Sequence, residues 1–140
     1  MRIAQFICRQ GRSGHEAFVR ALSVFRALFW LLPGAVLIVA LLPATEAPTV
    51  FASDKLNHML AFVTLSLFAR VLWPRLSFSV LFAVLAAFGG LIEALQWSLG
   101  FGRDADWMDF AADVLAISLG LVAGRLLISM STNLADLADR

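Results

Sequence analysis

Four stretches of this chain, at about residues 27–43, 54–73, 77–99 and 106–129, are apolar over lengths that suit a membrane crossing, and no other feature constrains its fold as much. Roughly 20 apolar residues span the hydrocarbon of a bilayer as a helix. Of the 140 residues 61% are hydrophobic and 15% charged, whereas a water-soluble domain has about 25% charged residues. The sequence therefore predicts an all-α, integral membrane bundle of four transmembrane helices with an amphipathic N-terminal arm.

Punctuation supports these boundaries. Pro33 lies inside the first span and Pro43 closes it, because proline has no amide to give to a helix ladder. Ser53 or Asp54 serves as N-cap of the second span and Pro74 terminates it. The third ends at Gly100 and Gly102, and the fourth opens with acidic residues, as a helix N-terminus prefers. Residues 27–130 form the membrane domain and 131–140 a tail. Residues 1–26 interleave Arg2, Arg9, Arg12, Arg20 and Arg26 with Phe6, Phe18, Leu22 and Phe25, a pattern that suits an arm lying on an anionic leaflet. No cleaved signal peptide is legible, and the single Cys8 has no partner for a disulfide.

Four crossings place both termini on one side. Nine of the eleven Lys and Arg (Arg2, Arg9, Arg12, Arg20, Arg26, Arg70, Arg75, Arg125 and Arg140) fall on that side, leaving Lys55 and Arg103 opposite. By the positive-inside rule the termini are expected in the cytoplasm, in an inner-membrane type of setting. Glu46, Asp54, Glu93, Asp104, Asp106, Asp109 and Asp113, seven of the ten acids, gather on the opposite side. A net charge of +1 argues against nucleic acid as a partner. Trp73, Trp97 and Trp107 read as interface anchors, and Trp30 as a packing or interface residue.

The acids follow helical spacing. Asp54 and His58 are four apart on the second helix, with Ala61 and Leu65 continuing their face and Lys55 at the rim. Glu93 and Gln96 are three apart on the third, and Glu93 lies roughly 9 Å below the helix end at 1.5 Å per residue. Asp106, Asp109 and Asp113 form a stripe on the fourth helix, continued by Ala112, Ala116, Gly120 and Gly124. Ala86, Gly90 and Ala94 supply small residues beside Glu93. Small residues at every fourth position admit close helix approach, so the polar stripes are expected to meet inside the bundle. An unpartnered charge near the bilayer centre costs roughly 2.5 to 3.5 kcal/mol, so Glu93 and Asp113 each need a partner.

The run Ser53-Asp54-Lys55-Leu56-Asn57-His58-Met59-Leu60-Ala61-Phe62 is followed by Glu93-Ala94-Leu95-Gln96 and Arg103-Asp104-Ala105-Asp106-Trp107-Met108-Asp109, then by Asp113 and Gly120. This ordered set, over roughly residues 30 to 125, resembles the VanZ-like family of small membrane proteins, named for a teicoplanin-resistance protein. The resemblance implies that Asp54, Lys55, His58, Glu93, Gln96, Arg103, Asp106, Asp109 and Gly120 carry the family's signature. Where the family commonly shows Asn on the last helix, this chain has Ala116 and Ile117, with Asp113 as the nearest polar residue.

Three classes of function fit. The first is a pocket open to the extracytoplasmic leaflet that binds a phospholipid or a polyprenyl-linked cell-envelope precursor. Lys55 and Arg103 would meet its phosphate, and Asp54, Gln96, Asp106 and Asp113 would complete the binding set; the resemblance extends this reading to glycopeptide tolerance. The second is an enzyme that hydrolyses or transfers a phosphate or ester group of such a lipid, with His58, Glu93 and Asp109 as candidate catalytic groups and His58 or Glu93 as general base. The third is a non-catalytic subunit whose polar residues hold helices or a partner together. No cofactor is called for by any motif. A divalent metal is the one candidate, with His58, Glu93, Asp109 and Asp113 as its ligands, although no H-E-x-x-H or paired-cysteine spacing is present.

Overall fold

The structure, a computed structural model, describes the backbone of residues 2–43, 46–48, 50–51, 53–99 and 107–138, and the side chains of these except 2–15, 54, 135 and 138. The described chain is helical: α1 Arg2–Phe29, α2 Leu31–Leu41, α3 Asp54–Leu72, α4 Phe78–Leu99 and α5 Trp107–Ala138. Four helical stretches are long and apolar enough to cross a membrane, namely Glu16–Leu41, Lys55–Leu72, Phe78–Leu99 and Trp107–Leu134.

The first crossing differs from the span expected at 27–43. The helical arm runs into it without a break until Trp30, where Pro33 withholds the amide that Phe29 would receive and the ladder is patched by Trp30 N to Ala27 O (3.3 Å) and Gly34 N to Trp30 O (3.4 Å). α2 alone has 11 residues and rises roughly 16 Å, about half the hydrocarbon thickness. The end of α1 therefore completes the crossing, and Phe18, Val24, Phe25 and Leu28 stand exposed along it as a lipid-facing surface requires. At the other end of the chain, α5 continues through residues 131–138, which the sequence pattern assigns to a tail.

α3 and α5 form the closest pair. They run parallel at a constant register, with Lys55 beside Asp109, Ser66 beside Gly120 and Arg70 beside Gly124. A side chain at Gly120 would meet Ser66 Oγ and come within 2.5 Å of the Val63 carbonyl, and one at Gly124 would stand 2.9 Å from Arg70 Cβ and 3.1 Å from the Leu67 carbonyl. Glycine is thus required at both positions for helices to approach this closely. The buried residues of α5 (Asp109, Asp113, Ala116, Ile117, Gly120, Leu121 and Gly124) follow one helical stripe. Phe62, Leu65, Ser66 and Ala69 of α3 answer them.

α4 buries Leu81, Leu85, Gly89, Ile92 and Gln96, with Gly89 facing the α3–α5 pair and Gln96 the first crossing. The small-residue stripe expected on α4 is displaced by one position: Ala94 is exposed, and Gly89 rather than Gly90 lies deepest, because Gly89 is the residue that faces Phe62 and Asp113. The α3–α4 turn is closed by Pro74, by Leu76 N donating to the Trp73 carbonyl (3.1 Å), and by the Ser77 hydroxyl accepting from Val80 N (3.2 Å) as an N-cap. Beside that turn, Phe29, Trp30 and Trp73 make edge contacts at ring separations of 5.1 to 6.4 Å. They border an apolar cavity of about 290 Å³ between the first crossing, α3 and α4.

Candidate functional site

Three helices bring ionisable side chains to one depth at the end of the bundle opposite the α3–α4 turn. His58 lies four residues into α3, Glu93 six residues before the end of α4, and Asp113 six residues into α5, distances of roughly 6 to 9 Å from the helix ends. Their ligand-type atoms all fall within 4.8 Å of one another. His58 Nδ1 is 3.5 Å from Asp113 Oδ1, with His58 7% and Asp113 0% exposed. Neither Asp113 carboxylate oxygen has a hydrogen-bond partner. Gly89 makes room for that carboxylate, since a side chain there would stand 3.2 Å from Asp113 Oδ2.

Above this trio, one helical turn nearer the bundle end, Lys55 Nζ lies 2.6 Å from Asp109 Oδ1. The lysine is 44% exposed and the aspartate 13%, so this pair forms the rim and the trio the floor. Asp109, expected among the metal ligands, is drawn instead to the lysine. The spacing of three residues from Lys55 to His58 and four from Asp109 to Asp113 stacks the two α3–α5 contacts one above the other.

The electrostatics of the floor are unusual for an apolar bundle. Two like charges no more than 4.8 Å apart repel by at least roughly 3 kcal/mol at an effective dielectric of about 20. A proton or a cation on the floor would relieve the repulsion between Glu93 and Asp113, and an added anion would increase it.

Other sequence-level candidates have different positions. Gln96 is buried and its Nε2 donates to the Ala40 carbonyl at 2.9 Å, near the C-terminal end of α2, fastening the first crossing to α4. Asp54 opens α3, with its side chain outside the described residues, and Arg103 and Asp106 lie outside them altogether. Gly120 is far down the α3–α5 contact, where it meets Ser66, and serves packing.

Sequence reasoning passed over Asn57. Its Oδ1 accepts from Val50 N (3.0 Å) and Phe51 N (2.9 Å), and its Nδ2 donates to the carbonyls of Phe51 (2.9 Å) and Ser53 (3.1 Å). One amide side chain thereby pins the loop that leads into α3 and sets the start of the helix carrying Lys55 and His58. An Asn in the first turn of a helix, just after a capping serine, is the available signal.

No family model matches this chain, and neither a curated protein nor a solved structure matches it.

Proposed function

We propose that this chain is a multi-pass membrane protein of the VanZ-like type whose pocket, at the face opposite its termini, takes the headgroup of a phosphate-bearing membrane amphiphile. The observation that carries the reading is the Lys55 cation on a rim above the convergence of His58, Glu93 and Asp113 from three helices at one depth: the lysine meets the phosphate, and a proton or cation on the floor balances the carboxylates beneath it. Ionisable residues within membrane spans mark binding or transport sites by default, because each costs insertion energy that packing alone has no need of. Exposed Trp97 and Trp107 flank the same end, where indole rings settle at the headgroup level. The distribution of Lys and Arg supports an extracytoplasmic position for that face.

Native mass spectrometry of the protein released from lipid nanodiscs tests this. A phosphate-bearing lipid retained by the wild type and lost in Lys55→Met and Glu93→Gln is the expected result. An identical lipid profile in all three proteins rejects it.

A second reading is favoured by the geometry of His58. A buried imidazole 3.5 Å from a fully buried carboxylate is a candidate general base, and the same pocket then hydrolyses or transfers a phosphate or ester group of the bound lipid. Release of labelled headgroup by the purified protein, abolished in His58→Gln while lipid retention persists, would establish it. Retention without any turnover leaves the binding function alone.

A further inference from the structure

We propose that His58, Glu93 and Asp113 form a binding site for one divalent first-row transition cation, of the Zn²⁺ class. Three independent observations converge on it. The first is spacing: protein ligands about 2.0 to 2.2 Å from a tetrahedral ion stand roughly 3.4 Å from one another, and His58 Nδ1 and Asp113 Oδ1 are already 3.5 Å apart. With all three ligand atoms inside 4.8 Å, small side-chain rotations complete the set.

The second is Asp113 itself. It is 0% exposed, and beyond the 3.5 Å approach of His58 Nδ1 neither of its carboxylate oxygens has a hydrogen-bond partner. Buried carboxylates are normally paired or coordinate a metal. The third is Gly89, which keeps α4 close while leaving the space beside Asp113 Oδ2 that a side chain would invade.

The donor set selects the kind of ion. One imidazole nitrogen with two carboxylate oxygens suits Zn²⁺ or a similar transition cation. Ca²⁺ takes six to eight oxygens, and Mg²⁺ takes oxygen ligands and keeps several of its waters, so the imidazole nitrogen selects against both. Two carboxylates also match the charge of a dication. Three protein ligands leave a fourth position open, as in catalytic zinc sites. The proposal does not depend on a lipid, and its test uses the metal alone, so each reading stands or falls separately.

The full chain, purified in detergent and stripped with a chelator, is titrated with Zn²⁺ in a calorimeter, with Mg²⁺ and Ca²⁺ run alongside. One Zn²⁺ per chain is expected, with affinity weakened at least about tenfold in Glu93→Gln and in Asp113→Asn and unchanged in Asp136→Asn. Co²⁺ in place of Zn²⁺ gives visible ligand-field bands in the wild type that disappear in His58→Ala. Circular dichroism establishes that each variant retains its helix content, and if Asp113→Asn does not fold, Glu93→Gln decides. Absence of saturable Zn²⁺ binding, equal binding in wild type and Glu93→Gln, or equal affinity for Mg²⁺ would each overturn the site and leave a shared proton as what balances the carboxylates.

Discussion

The two ends of the bundle use charge in opposite ways. Near the α3–α4 turn, cations meet carbonyls: the Arg26 guanidinium donates through Nε (3.0 Å) and a terminal nitrogen (2.9 Å) to the Leu72 carbonyl, and Arg70 donates to the Leu76 carbonyl at 2.8 Å. Arg26 also lies 5.8 Å from the centre of the Trp73 ring. A cation at a helix C-terminus satisfies an orphan carbonyl and the negative end of the dipole together, so these arginines support the fold. At the far end, carboxylates from two helices converge on one another beside a single imidazole. The first arrangement is explained by holding the chain together; the second sets like charges beside one another, and such local conflicts are where function is to be sought.

That contrast can be broken in stages. The largest effect is expected at the contact joining the two ends, where Gly120→Val drives a branched side chain into Ser66 Oγ and the Val63 carbonyl. Because the obstacle includes backbone, a loss of about 3 kcal/mol or more is expected, read as a collapsed thermal transition in detergent. An unchanged transition would show that α3 and α5 do not approach as closely as their register indicates.

A smaller loss is expected from Arg26→Met, which keeps the aliphatic stem but removes both hydrogen bonds to Leu72. Hydrogen bonds to charged groups contribute roughly 1.5 to 3 kcal/mol, so a decrease of about 2 kcal/mol in the same measurement is the expected outcome. The opposite sign is expected at the other end. In chelator, Asp113→Asn removes one of the two converging carboxylates and raises stability by about 1 kcal/mol, whereas in Zn²⁺ the wild type recovers the difference by binding the ion. Destabilisation by Asp113→Asn under chelation would place the carboxylate among the groups that hold the bundle together.

Much of the site was legible before any coordinates. The four apolar stretches and their prolines marked the spans, and the four-residue interval from Asp109 to Asp113 put both acids on the stripe that carries Ala116, Gly120 and Gly124. The buried face of α5 follows that stripe because helical periodicity alone determines which side chains share a face. Less legible was how far each element runs. The helix preceding Trp30 reads as an interfacial arm by its arginines, yet it continues into the crossing because Pro33 interrupts the ladder at Trp30 and not at residue 26. The contacts of Asn57 and Arg26 were not legible because their partners are backbone atoms of other segments, which no spacing within a helix reveals.

By itself the sequence determined the class of molecule, an all-helical membrane bundle, and the side of each helix that carries its acids. Both follow from local physics: the length of chain a bilayer demands and the 3.6-residue repeat of the helix. Only the tertiary structure decided which acids meet. It paired Asp109 with Lys55 and left Asp113 beside His58 and Glu93, and it spent Gln96 on the carbonyl of Ala40. The register between α3 and α5 is set by how glycines at 120 and 124 seat against Ser66 and Arg70, a contact between segments about 54 residues apart.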